Sequence, residues 1–218
     1  MQKKLIAIVG AGPGVSAGVA RRFGAEGFAV VLLARSAEAL DERVSELRAA
    51  GIEAHSLVAD VTDPESLRRA FATLESEYGT PDVLHYNAGA ITVGTPLEVA
   101  ADDVSHDFAV NVLGALECAQ LVAPAMRERG SGTLLFTGGM LGVNPVASRV
   151  SAAIGKAGLR NLVFTLADEL AGTGVTVGTV TIGGVVKAGT FFDPDAIAGS
   201  FWDLHTGAAT GEVQFVES

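Results

Sequence analysis

Seven short apolar runs punctuate this chain, and segments of helical period lie between them. The runs are KLIAIV (4–9), FAVVLLA (28–34), EAHSLVA (53–59), DVLHYN (82–87), GTLLFT (132–137), VTVGTVTI (175–182) and the terminal EVQFVE. Helical patterns fill about 15–26, 37–51, 62–79, 102–129, 147–171 and 194–206. Strands joined by helices of that length cannot pair as hairpins, so the connections are crossovers and the sheet is parallel. The runs are continuously apolar rather than alternating, which is the pattern of strands buried on both faces. Hydrophobic residues at 49% and charged residues at only 18% suit such a core. The fold class predicted is α/β: one doubly wound parallel sheet of about seven strands with helices on both faces. With no repeat or linker in 218 residues, the expectation is a single domain over 1–218.

Composition also sets limits on function. The formal net charge of −10 would repel a polyanion, so nucleic acid is not an expected partner. One cysteine, Cys118, leaves no internal disulfide and no cysteine metal cluster, and it reads as a buried helical residue. The four histidines lack metal-ligand spacing, so no metal is expected, and His85 reads as a core residue of its strand. Two lysines before LIAIV resemble a leader, but the apolar run is too short for one. No run approaches the roughly 20 apolar residues of a membrane span. The expected location is the cytoplasm, with no membrane partner. Phe201 and Trp202 on the last helix are expected to pack against the body of the domain, with the mouth of a substrate site as the alternative. Thr62 and Glu65 have capping-box spacing, with Pro64 in the first turn.

Chemistry concentrates where strands end. IVGAGPGVSAG (8–18) is a strand feeding glycines that open a helix. Glycines let backbone approach a phosphate closely, and a helix N-terminus presents free N–H groups to it. The six-residue fingerprint fails, because Val15 stands where its third glycine belongs, whereas the wider spacing Gly10-x-x-x-Gly14 fits. After the second strand come Arg35 and Ser36, with no carboxylate before Glu38. A carboxylate there would suit a ribose 2′-hydroxyl, whereas a base suits a 2′-phosphate. Asp60 and Val61 follow the third strand, Tyr86-Asn87-Ala88-Gly89 the fourth, and Asn111 and Lys156 sit within helices.

Taken together, these residues resemble the short-chain dehydrogenase/reductase family. The resemblance rests on the Gly10-x-x-x-Gly14 turn, Asp60, Asn87-Ala88-Gly89, Asn111 and Lys156. It implies a Rossmann-type domain, a nicotinamide cofactor and a homodimer or homotetramer acting on a small-molecule substrate. It implies cofactor contacts from Gly10, Gly12, Pro13, Gly14 and Val15 in the turn and from Asp60, Val61, Asn87, Ala88 and Gly89 along the crevice. Further contacts are implied from Thr137, Lys156, Gly184 and Val186, while Arg35 and Ser36 favour NADP(H) over NAD(H). Lys156 and Asn111 are the catalytic candidates.

The sequence departs from the family where that chemistry is done. The family's Tyr-x-x-x-Lys places its tyrosine at Ala152 and its serine at Gly139; both side chains are missing. Gly183-Gly184 stands where Pro-Gly is usual, Ser16 replaces a glycine, and the segment before the last strand is short. Arg149, seven residues before Lys156 on the helix expected over about 147–171, falls on nearly the same face. Gly139, Arg149 and Ala152 are therefore the substrate-site candidates, with room for an anionic or bulky group. Two activities are expected: an oxidoreductase with an altered proton relay, or a cofactor-binding protein without redox chemistry. A non-redox enzyme using the same pocket is a third, with no residue favouring it.

Overall fold

The computed structural model describes residues 3–217. Strands β1 (Leu5–Val9), β2 (Ala29–Ala34), β3 (Ala54–Val58), β4 (Val83–Tyr86), β5 (Gly132–Gly139), β6 (Val175–Ile182) and β7 (Gly211–Phe215) form one sheet. Its order is β3-β2-β1-β4-β5-β6-β7 and every pairing is parallel. The order reverses direction between β1 and β4, the place where such sheets open a crevice at their carboxyl edge.

Period two along each strand separates two cores. Leu5, Ala7 and Val9 face helices α3 (Pro64–Tyr78), α5 (Gly114–Arg129) and α6 (Val150–Glu169). Ile6 and Ile8 face helices α1 (Val15–Ala25), α2 (Ala37–Ala49) and α7 (Pro194–Thr206). Both sets are buried, which is why the runs are uninterrupted, and each Leu, Ile or Val among them stabilises by about 1.5–3 kcal/mol relative to exposure. Cys118 lies in the first core and Phe201 in the second. Trp202 packs edge-on against Phe23 and Phe28 of the α1 region, so this pair braces the fold rather than a substrate mouth.

Several boundaries differ from expectation for local reasons. The cap of α3 is Asp63, whose side chain accepts from Glu65 N; Thr62 instead bonds Asp60. Helix α6 begins at Val150, not near 147, because Arg149 has the non-helical pair φ −131°, ψ 36°. The expected long helix at 102–129 consists of α4 (Ala101–Phe108), a π turn (Ala109–Leu113) and α5. No membrane span was expected there, yet this continuous helix from Ala101 to Arg129 is long and apolar enough to cross one. Half of its most apolar window is buried in the domain, as in a core helix.

The π turn has an identifiable cause. Tyr86 is fully buried at the end of β4 and its hydroxyl donates to the Val110 carbonyl inside the turn. Gly114 follows, and a Cβ there would stand 2.5 Å from that hydroxyl and 2.9 Å from Val61 backbone oxygen. The widened turn thus lies against the phenol, with its Val110 carbonyl accepting from the hydroxyl and Gly114 leaving room for it.

Candidate active site

The glycine turn lies between β1 and α1. Gly10 has φ +84°, and a Cβ there would overlap Ala88 N, so only glycine fits. Its N–H and that of Ala11 both donate to Leu33 O, fixing the turn to β2. Nothing lies within 4 Å of a Cβ built on Gly12, and only Val186 comes within 3.9 Å at Gly14. The space beside Gly12 and Gly14 is therefore open, while Val15 is buried and the Ala17 N–H already donates to Gly14 O at 3.0 Å. Ser16 is buried. Its hydroxyl accepts from Gly12 N at 2.8 Å and donates to Gly12 O at 3.0 Å, closing the turn internally.

A crevice of about 280 Å³ runs along the carboxyl edge from this turn. Arg35, Asp60, Val61, Asn87, Ala88, Gly89 and His106 are among its lining residues. Among the described residues Arg35 is exposed and forms no ion pair, and Ser36 caps α2 by accepting from Ala39 N. Hydrogen bonds from the backbone and hydroxyl of Thr62 hold the Asp60 carboxyl below its usual range, with smaller help from Arg35 and His106.

A chain of buried and half-buried hydrogen bonds crosses under the crevice. Thr137 Oγ1 donates to Asn87 Oδ1 at 2.9 Å, and Asn87 Nδ2 donates to Gly10 O at 3.1 Å. Because the threonine proton is used there, His85 Nε2 must donate to Thr137 Oγ1 across 3.0 Å, leaving Nδ1 without a partner. Burial pushes the His85 pKa down to about 3, so the ring is neutral. Asn111, in the π turn, donates to Ala90 O at 2.8 Å and accepts from Ala90 N at 3.1 Å. It thereby clamps the loop after β4 and packs against Gly155, where a Cβ would stand 2.6 Å from Asn111 Nδ2.

Lys156 reaches the end of β5 from α6. Its Nζ donates to Thr137 O at 2.7 Å, and burial lowers its pKa to about 8. Its stem passes Gly139: a Cβ on Gly139 would lie 3.3–3.5 Å from Lys156 Cγ, Cε and Cδ. Ala152 is one turn earlier and buried. Arg149 is exposed at the N-cap, so its place relative to Ala152 and Lys156 is set by the loop, not by helical spacing as expected. That loop is tied by Gly94 N donating to Ser148 O. The 183–193 connection is short; Gly184 lies under the Phe192 ring, which a Cβ on that glycine would overlap.

One cluster escaped sequence reasoning. Ser151 donates to Asp107 Oδ2 at 2.6 Å, Thr92 N donates to the same oxygen, and both side chains are buried. These three residues come from α6, α4 and the loop after β4. The only signal was a lone serine in an otherwise small-residue helix.

Known proteins are similar to this chain in sequence and in fold. The profile of the family described as short chain dehydrogenase matches residues 4–191. Over 190 residues the chain is 31% identical to the ketoacyl reductase HetN of a Nostoc species, covering 87% of this chain and 66% of that protein. It is 31% identical over 182 residues to the oxidoreductase UcpA of Escherichia coli K12, covering 83% and 68%. The chain thus spans about two thirds of these relatives' length. Among solved structures, a variant actinorhodin polyketide ketoreductase with NADPH superposes at TM-score 0.90 and 27% identity, over 97% of this chain and 94% of that one. A metagenomic short-chain oxidoreductase in complex with NADP gives TM-score 0.88 and 31% identity, over 97% and 95%.

Proposed function

The chain belongs to the short-chain dehydrogenase family, and on that premise we propose that it is an NADP(H)-dependent oxidoreductase with an altered proton relay. Its reaction would move hydride to or from a carbonyl, an alcohol or an activated double bond. The observation that carries this reading is the meeting, on one sheet edge, of an open glycine turn, an unpaired Arg35 and Lys156.

These residues fit a dinucleotide. The open side of the turn at Gly12 and Gly14, with Pro13 and Val15 flanking it at the start of α1, would receive the pyrophosphate, as helix N-termini do. Arg35 would pair with a 2′-phosphate; the Ser36 oxygen is engaged as a cap, but its O–H is free to donate. Asp60, Val61 and Asn87–Gly89 would line the adenosine side, Val186 lies beside the turn at Gly14, and Gly184 would add a contact two residues earlier. Thr137 and Lys156 would hold the nicotinamide side, and Asn111 fixes the loop beneath it. When bound, the cofactor supplies hydride. Gly139 and Ala152 would face the substrate, and Arg149 at the rim would receive an anionic group.

Two measurements test this. NADPH fluorescence should respond to the protein, and Arg35→Ala should weaken NADPH by roughly 10- to 150-fold while barely changing NADH, since a charge-assisted bond contributes about 1.5–3 kcal/mol. NADPH should also be consumed with some member of a panel of ketones, quinones and enones. Binding without turnover across the panel would favour a redox-silent cofactor-binding protein. Absence of binding would refute both.

A further inference from the structure

The places left by a tyrosine and a serine are not simply vacant. Lys156 runs beside one of them: its stem passes Gly139, with Cγ, Cε and Cδ 3.3–3.5 Å from where a Cβ on that residue would stand. A Cβ built on Gly139 would stand 3.3 Å from Lys156 Cγ, so a larger residue there would press on the lysine stem by a few tenths of an ångström, and glycine leaves the stem unpressed along the end of β5. Ala152, buried on the same helical face, contributes only a methyl. The ammonium is held by one neutral acceptor, Thr137 O, which leaves two of its three protons uncommitted to any described residue.

We propose that Lys156 is itself the general acid of this site, donating a proton from Nζ to the substrate oxygen. This rests on the oxidoreductase reading and deepens it. As hydride adds to the carbonyl carbon, the C=O π pair moves to oxygen, and that oxygen takes a proton from Nζ. The N–H bonding pair remains on nitrogen as a neutral amine, which regains a proton from water. The reductant, by class, is a reduced nicotinamide dinucleotide. In the alcohol-to-carbonyl direction the neutral amine accepts the proton.

The surroundings suit an amine that changes charge near neutrality. On β5 the facing groups are the Thr137 carbonyl and Gly139, and on the turn after it, Gly142. On the π turn the neighbour of α6 is the Asn111 amide. On α6, Arg160 lies one turn further on and is committed to Glu212; Arg149 is exposed at the N-cap. Asp107 is engaged by Ser151 and Thr92, and Glu212 by Arg160 and Thr181. Among the described residues no carboxylate comes within ion-pair distance of Nζ, so nothing counters the effect of burial, which lowers its pKa to about 8. An acid with that value is charged at pH 7 yet gives up its proton readily.

The test begins on the free protein. Competitive acetylation across pH, read by mass spectrometry of the peptide bearing Lys156, should titrate near 8; a midpoint at the ordinary 10.5 overturns the proposal. With NADPH saturating, Lys156→Arg should lower kcat by about 10²–10⁴-fold and abolish the alkaline limb, because guanidinium keeps the charge but cannot donate. Small amines of graded basicity should restore turnover to Lys156→Ala at rates that follow amine pKa, which a residue that merely positions would not require. An active wild type whose Lys156→Arg form stays within threefold and keeps its pH profile overturns this inference alone. A wild type that binds no NADPH and reduces nothing overturns the oxidoreductase reading, and this one falls with it.

Discussion

Removing a single oxygen from Tyr86 isolates what holds the π turn. The phenol is fully buried and its hydroxyl donates to Val110 O, a carbonyl within the widened turn. Tyr86→Phe keeps the ring, so it leaves almost no cavity and carries little packing penalty. What it leaves is a buried carbonyl without its donor, which costs about 1–3 kcal/mol. For a chain of this size that corresponds to a fall of roughly 2–12 °C in Tm. The effect should also reach the crevice, because Asn111 in the same turn clamps Ala90. Unfolding followed by far-UV circular dichroism, beside NADPH titration, measures both consequences. Burial holds the Tyr86 pKa far above its usual value, so the wild-type advantage should not change at mildly alkaline pH. A Tyr86→Phe protein within about 0.5 kcal/mol of wild type would refute the reasoning, since a surface-like effect of that size means the bond does not support the turn.

Two further outcomes follow from the same structure. Gly10→Ala would force a left-handed backbone on a side chain that overlaps Ala88 N, so a loss of about 2–5 kcal/mol and of NADPH binding is expected by denaturant melts and fluorescence. The pKa of His85 in the folded chain is about 3, below its unfolded 6.5, so between these values the unfolded chain binds more protons and stability falls as pH falls. That slope approaches about 1.4 kcal/mol per pH unit for one group, and a stable His85→Gln should lack it in urea melts between about pH 6 and about pH 4.

Much of the architecture could be read directly. Ala29–Ala34 and Val175–Ile182 announce themselves as strands of a covered sheet because apolar residues, broken only by threonine and glycine, run through them without charge. The crevice residues at strand ends were legible for a related reason: a parallel sheet carries its ligand chemistry at one edge, and Gly10, Asp60 and Asn87 all fall there. The cap of α3 was misplaced by one residue, because Thr62 and Asp63 are both good caps and only the fold committed Thr62 to Asp60. Arg149 was assigned a helical face that its backbone does not provide, since the Gly94–Ser148 tie holds the preceding loop and the helix starts only at Val150.

By itself the sequence determined the order of elements, the parallel sheet and the glycine turn, because those follow from periodicity and from φ limits acting over a few residues. Tertiary structure alone decided that Ser16 closes its own turn, that Tyr86 widens a helix, that Ser151 meets Asp107 and that Lys156 lies along Gly139. The first is local but rests on a side-chain rotamer, and the others join residues up to 44 positions apart. Hydrogen-bonding groups at such separations are interchangeable in sequence, and only packing selects which pair meets and at what distance.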